Sequence, residues 1–318
     1  MEEVKTNISE TETTVTAQST PPETEKKKRK SKLKSMTWFD YLNYAFLLVC
    51  VLVMIYPFYF VLVGSFSDGQ DYMGGGVWLL PRIWTTANYQ VIISDNTLWI
   101  AYRNTILRTV LGSALSLMFT SIVAYAMSRR ELKFRGVFQI INLITMFFGG
   151  GLIPYFAMIN ILGLYDSFLV YIIPALYSVY NMIVISGSYG AISEELHDSA
   201  VIDGAGEIRI WWQIYLPLSK AVHATVLLWL AVGNWNSYYS TMIYTQGGND
   251  VIMLQYYLMN VINKAQYSPE VGGEILEQVT GKTVSYAAIV IVILPILFVY
   301  PFLSQYFTKG VFVGSLKG

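Results

Sequence analysis

Residues 192–218 read ISEELHDSAVIDGAGEIRIWWQIYLPL, and the rest of the chain is read outward from them. They form a polar island between two long apolar segments and carry Glu194, Glu195, Asp198, Asp203, Glu207 and Arg209. Each such charge costs at least about 2.5 to 3.5 kcal/mol at the centre of a membrane helix, so the island lies outside the hydrocarbon. Ser193 is placed to cap a helix whose first turn holds Glu194 and Glu195, where the helix dipole favours negative charge. Asp203-Gly204-Ala205 breaks that helix, because glycine reaches the positive-φ geometry of a tight turn without steric cost. A second helix follows, with Ile208, Trp211, Trp212 and Tyr215 at i, i+3, i+4 and i+7 on one apolar face. Pro217 suits the first turn of the helix after it. The expected shape is two short helices at an angle, with both tryptophans exposed as a knob for another protein's socket.

The flanking sequence is that of a membrane protein. Of 318 residues, 54% are hydrophobic and 13% charged, against about 25% charged in an ordinary soluble domain, and the mean hydropathy is +0.45. Six apolar segments, at residues 42–65, 104–127, 138–159, 168–185, 218–238 and 286–307, each supply roughly the twenty residues that a helix needs to cross about 30 Å of hydrocarbon. Backbone groups in lipid must pair within their own segment, so these are helices. The expected fold class is therefore all-α, a polytopic protein of six transmembrane helices over residues 37–318, preceded by a disordered basic tail at residues 1–36. That tail holds seven basic residues between Lys26 and Lys34. Beside a membrane span such a run reads as a topology signal that also touches anionic lipid, and not as a nucleic-acid site. No cleavable apolar leader precedes it.

Arg129, Arg130, Lys133 and Arg135 lie between segments two and three, on the side of the basic tail and of Lys309 and Lys317. The loops on the other side carry few cations. By the distribution of Lys and Arg, both termini and residues 192–218 are cytoplasmic. Two outward loops are long, 65–103 and 245–284. The first includes Met73-Gly74-Gly75-Gly76 and an amphipathic stretch at 87–93. Loops of that size are usually functional, and an extracytoplasmic binding protein is the expected user.

Catalytic chemistry finds no support. Gly281-Lys282-Thr283 resembles the end of a phosphate-binding loop, but Leu276 stands where its first glycine is required. The lone Cys50 excludes a disulfide framework or a cysteine-built metal site. His197, expected to decorate the exposed loop helix, and His223, near the start of segment five, belong to no zinc set or triad. No catalytic, cofactor-binding or metal-binding residue is assigned.

Two segments carry candidate pathway residues. Phe148-Gly149-Gly150-Gly151-Leu152-Ile153-Pro154 weakens segment three, as a hinge or pathway wall with Gly150 and Gly151 at its centre, or as close helix packing through small residues. In segment five, Asn234, Trp235, Asn236 and Tyr238 combine amides with aromatic rings. That combination suits sugar hydroxyls and C–H faces, and it equally suits an interfacial aromatic belt. Gln255 and Tyr256 could extend the same surface, and Asn104 is a weaker candidate.

Asp198-Ser199-Ala200, Ile202-Asp203-Gly204-Ala205, the aromatic Trp211, Ile214 and Leu216-Pro217-Leu218 resemble the "EAA" cytoplasmic loop of ATP-binding cassette importer permeases. Asp198 replaces the usual Glu and Ser199 the usual first Ala. Asn104-Thr105, Gly151 to Pro154, Trp235-Asn236-Ser237 and the ending YPFLSQYFTKGVFVGSLKG are similar to the MalG-like carbohydrate branch, and the resemblance runs from about Trp38 to the C-terminus. It implies the type I importer permease fold and a non-catalytic subunit in the bacterial cytoplasmic membrane for oligosaccharides or polysaccharide-derived sugars. It also implies a second homologous permease subunit, two ATPase subunits that bind the ATP, and an extracytoplasmic sugar-binding protein. Glu195, Asp198, Ser199, Ala200, Asp203, Gly204, Ala205, Trp211 and Trp212 would then meet the ATPase, and residues 309–318 could reach it too. A secondary transporter or channel without an ATPase would instead show inverted repeats and intramembrane ionisable residues. A membrane enzyme would show an acid, base or metal constellation.

Overall fold

The computed structural model describes residues 37–246, 249–267 and 279–315; the tail at 1–36 lies outside them. The chain divides into two units after Leu52. Among the described residues the first unit holds the beginning of helix α1 (Trp38–Ser65). The second unit, residues 53–318, holds the remainder of α1 and every later element.

Every segment read as membrane-spanning is helical, but only three are single long helices: α1, α4 (Asn96–Ser128) and the Gly281–Val299 portion of α13 (Gly281–Ser315). Between α1 and α4 lie α2 (Gly69–Met73) and α3 (Ala87–Ser94), the latter on the stretch expected to be amphipathic. Of the other three, segments three and four are interrupted by bends, and segment five is a shorter helix entered through a sharp turn. Segment three is α5 (Arg135–Phe147) and α6 (Leu152–Ile161), which meet at 112°. Segment four is a short 3-10 stretch, Phe168–Ala175, bent by 44° from α7 (Val179–Gly190). The island contributes α8 (Glu194–Ile202) and α9 (Glu207–Leu218), and α9 turns by 86° into segment five, α10 (Lys220–Asn236). Then come α11 (Tyr239–Tyr244) and α12 (Leu254–Tyr267) before α13.

The break in segment three has a local cause. Gly151 has φ +85°, a conformation that only glycine enters freely, and Pro154 sits in the first turn of α6, where its missing N–H is not needed. A side chain at Gly149, Gly150 or Gly151 would meet no described atom closer than 3.9 Å, so no helix of this chain among the described residues packs closely on these glycines. They sit on an exposed bend.

Buried polar pairs hold the spans in register. Asn88 of α3 donates to the carbonyls of Ser65 and Ser67 at 3.0 and 2.9 Å and accepts from Thr283 Oγ1 of α13 at 2.7 Å. Tyr102 of α4 donates to Ile291 O of α13 at 2.6 Å. In a low-dielectric interior such satisfied groups fix one arrangement, since a mismatched one would leave them unpaired. Apolar side chains such as Phe58, Val110, Ile140 and Leu297 remain exposed, as lipid or partner contact requires.

Candidate functional site

Ser193 caps α8 through its hydroxyl, which accepts from Glu195 N at 3.3 Å. The helix stops by hydrogen bonds characteristic of a glycine-terminated end. Gly204, at φ +80°, donates to Val201 O, and Ala205 N reaches back to Ala200 O, both at 2.9 Å. Ala200 and Ala205 both pack into the apolar cluster beneath the turn. From Gly206 the chain starts α9, whose residues Trp211–Tyr215 form a π-helical turn.

One of the two tryptophans is not exposed. Trp211 is 4% exposed and belongs to the core with Ile210 and Tyr215, whereas Trp212 is 55% exposed. Trp211 Nε1 donates to Ser121 Oγ of α4 at 3.1 Å and to the Tyr189 hydroxyl of α7 at 3.2 Å. Those two oxygens lie 2.7 Å apart, and both reach His223 Nε2 of α10, at 3.1 and 2.9 Å. The other imidazole nitrogen, Nδ1, bonds Ser219 O at 2.9 Å, so it carries the proton and Nε2 accepts. One buried cluster thus joins the loop to spans two, four and five.

A second tie corrects the expectation for His197. It is buried, not a surface decoration: Arg129 Nη2 at the end of span two donates to His197 Nδ1 at 3.0 Å, and His197 Nε2 faces Glu207 Oε2 at 3.4 Å. Tyr125 of α4 also donates its hydroxyl to Glu207 Oε2. That bond holds the Glu207 carboxyl below the ordinary carboxylate range, with help from His197 and Arg129. Arg129 Nη1 further reaches the Tyr215 hydroxyl at 3.3 Å. The start of α8, the start of α9 and the end of span two are therefore fastened together. Alongside lies a cleft of about 760 Å³ lined by Arg129, Arg130, Arg135 and the residues around Ser193.

The surface left free is apolar at its tip. Ile202, 86% exposed, and Ile208, 80% exposed, flank the Gly204 turn, with Trp212 further along α9. Glu195, Asp198, Ser199 and Asp203 are exposed on α8 and at its end. Among the described residues the Asp198 carboxylate has one polar side-chain neighbour, His197 Nδ1 at 3.4 Å. Among the described residues no group of three His, Cys, Asp or Glu converges to hold a metal. The arrangement presents an exposed apolar tip on a loop fastened to three spans.

The proposed pathway residues are not gathered on one surface. Trp235 is buried, packs edge-on to Tyr102 with ring centroids 6.5 Å apart, and lines an apolar groove of about 370 Å³ with Ile106, Val232 and Pro295. Its ring packs within the chain and walls that groove, and among the described residues its Nε1 has no hydrogen-bond partner. Asn234 is tied to α4, donating to Ser113 Oγ at 3.0 Å beside Gly112. Asn104 is structural, donating to Asp250 O and Ile252 O at 2.8 and 3.0 Å. Asn236 and Tyr238 are exposed, and Gln255 lies 3.5 Å from Asn236 Oδ1, while Tyr256 is half-buried beside the Trp235 cluster.

Sequence reading passed over Arg108, a cation inside span two. It is buried, with its guanidinium carbon 4.8 Å from the Tyr171 ring centre, at the start of a π-helical turn, Arg108–Gly112. Among the described residues its Nε and Nη1 have no hydrogen-bond partner and no carboxylate lies within 4.0 Å. The signal was available: an ionisable residue at membrane depth is a functional candidate by default.

Residues 26–313 match the family model described as binding-protein-dependent transport system inner membrane component. The chain is 33% identical over 287 residues to the polygalacturonan/rhamnogalacturonan transport system permease protein YtcP of Bacillus subtilis, covering 88% of this chain and 98% of that one. It is 35% identical over 283 residues to Protein LplC of the same organism, covering 88% and 95%. Its fold is similar to the crystal structure of a bacterial ABC transporter involved in the import of the acidic polysaccharide alginate, with TM-score 0.79, 32% identity and coverage of 85% and 96%.

Proposed function

The chain belongs to the binding-protein-dependent transport system inner membrane components, and on that premise we propose that it forms half of the sugar pathway of an ATP-driven importer. It is a multi-pass membrane protein and a transport permease, and its relatives include permeases named for the transport of polygalacturonan/rhamnogalacturonan, of arabinooligosaccharides and of lactose. A second, homologous permease would complete the pathway, two ATPase subunits would bind and hydrolyse ATP, and an extracytoplasmic binding protein would deliver the sugar. The cations flanking the α8–α9 loop, Arg129, Arg130, Lys133 and Arg135, favour its placement on the cytoplasmic face with both termini.

The observation that carries this reading is the fastening of the loop. ATP binding closes the ATPase dimer, the Ile202–Gly204–Ile208 tip rides in a cleft of one ATPase, and the Trp211 and Arg129 clusters pass the displacement to spans two, four and five together. The pathway turns outward, the sugar enters, and hydrolysis resets the inward-facing state. Copurification tests the assembly: an ATPase and a second permease should accompany this chain, and crosslinks from position 212 should reach the ATPase. A chain that isolates alone and crosslinks to neither would overturn the reading.

For substrate class, the relatives named for polygalacturonan and for alginate favour fragments of a uronic-acid polysaccharide. A carboxylated sugar would also give Arg108 a counter-charge that no described side chain supplies.

A further inference from the structure

Residues 77–84 read VWLLPRIW and sit in the loop after span one, on the side of the membrane opposite the α8–α9 loop by span parity. Trp78, Leu79, Leu80, Ile83 and Trp84 are all more than half exposed. A contiguous apolar run of this kind on a water-facing surface marks contact with a partner or a membrane.

The geometry says which. The stretch leaves and rejoins the top of α1: Val77 is buried with Val63, and at the far end Asp68 N donates to Ile83 O at 3.1 Å and Thr85 N to Phe66 O at 2.9 Å. Between those two points it descends. The Tyr59 hydroxyl of α1 donates to Leu79 O, and Tyr59 lies six residues before the end of α1 at Ser65, about 9 Å down the helix at 1.5 Å per residue. Helical side chains lean toward the N-terminus of their helix, which here points deeper still. The polar atoms stay above: Arg82 turns back to Gly75 O and to Asp71, 3.5 Å away. Trp84 packs at a tilt against Phe66, with ring centroids 6.0 Å apart, at the level of the helix end, where interfacial tryptophans collect.

From this we infer that residues 78–83 form a wedge seated in the headgroup–acyl boundary of the lipid leaflet opposite the coupling loop. A depth of about 5 to 10 Å is where amphipathic anchors rest. At that depth a carbonyl short of water needs a protein donor, which Tyr59 provides for Leu79. Tyr56 and Leu62, one turn below and one turn above Tyr59 on α1, are exposed apolar residues as well. Its occupant is therefore lipid, and this part of the loop is not the docking surface for a binding protein that the sequence suggested.

The test uses the full chain in phosphatidylethanolamine–phosphatidylglycerol vesicles, with Cys50→Ser and a single bimane-labelled cysteine at Leu79 or, for reference, at the exposed Gln70. Lipids brominated in the upper acyl chain should quench the label at 79 several-fold more than the label at 70, and aqueous iodide several-fold less. Leu80→Cys should behave as 79 does, which covers the case where labelling at 79 disturbs the Tyr59 bond. Equal iodide quenching at 79 and 70 would place the wedge in water, and protection of 79 and 80 from both quenchers would place it under a protein; either overturns the inference.

Discussion

Gly204 can be perturbed by backbone strain alone. Its φ is +80°, and a Cβ built there meets nothing within 4 Å. Any effect of an added side chain on the isolated loop is therefore conformational and not a clash. A residue with an ordinary Cβ pays about 1 to 2 kcal/mol in the left-handed region. That shifts the balance between the native turn and its alternatives by about 5- to 30-fold. Asn tolerates the region better than Ala, and a β-branched residue worse. ATPase stimulation by loaded binding protein in reconstituted complexes should therefore fall in the order Asn, Ala, Val, with Gly204→Asn least impaired. Gly204→Asp should track Gly204→Asn, because the two differ by charge and not by shape. Equal loss for all four variants would mean that the partner's surface, and not the turn, rejects a side chain. Unchanged stimulation in all four would remove the turn from force transmission.

The two tryptophans should separate cleanly. Trp211→Ala should lower thermal stability in detergent by about 3 to 5 kcal/mol, whereas Trp212→Ala should stay within about 0.5 kcal/mol and weaken only ATPase capture in a pull-down. Trp235→Ala, from its buried place against Tyr102, should cost stability before it costs uptake; a fully stable variant that has lost sugar uptake would place this residue in the pathway. Because the fold depresses the Glu207 carboxyl, its contribution is present above the unfolded value of about 4.3 and is lost as pH falls through the folded value. Melting temperatures followed downward from about pH 6 should show that acid loss in the native chain and less of it in Tyr125→Phe. Arg108→Met should reduce uptake of carboxylated oligosaccharides more than of neutral ones; equal effects would argue against a charge role.

The island's architecture was legible because its signals are local. The Ser193 cap, the acidic first turn and Gly204 each act within a few residues, and the helices begin and end where these dictate. Which tryptophan faces inward was not legible. A helix that packs on its own protein with one side and meets a partner with the other is apolar on both, so periodicity cannot separate Ile208 and Trp212 from Trp211 and Tyr215. His197 was misjudged for a different reason: its partner Arg129 is 68 residues away in sequence. The glycines of segment three announced a weak helix, but the 112° bend depends on Gly151 taking a positive φ. Arg108 escaped because one cation barely lowers the hydropathy of a long span. In the 65–103 loop, length pointed to a protein partner, while the descent along α1 appears only when Tyr59 is seen reaching Leu79.

Ser121 and Tyr189 each answer to the same two neighbours, the indole of Trp211 and the imidazole of His223. Four positions scattered over about a hundred residues of sequence thus share one small set of lone pairs and protons, and none can change its chemistry without orphaning another. Such a cluster should drift through evolution as a quartet, and a loss at one corner should be repaired by second-site changes at the others. On the proposed mechanism it would make the moving part a single leaf on a hinge, unlike an iris whose blades slide past one another.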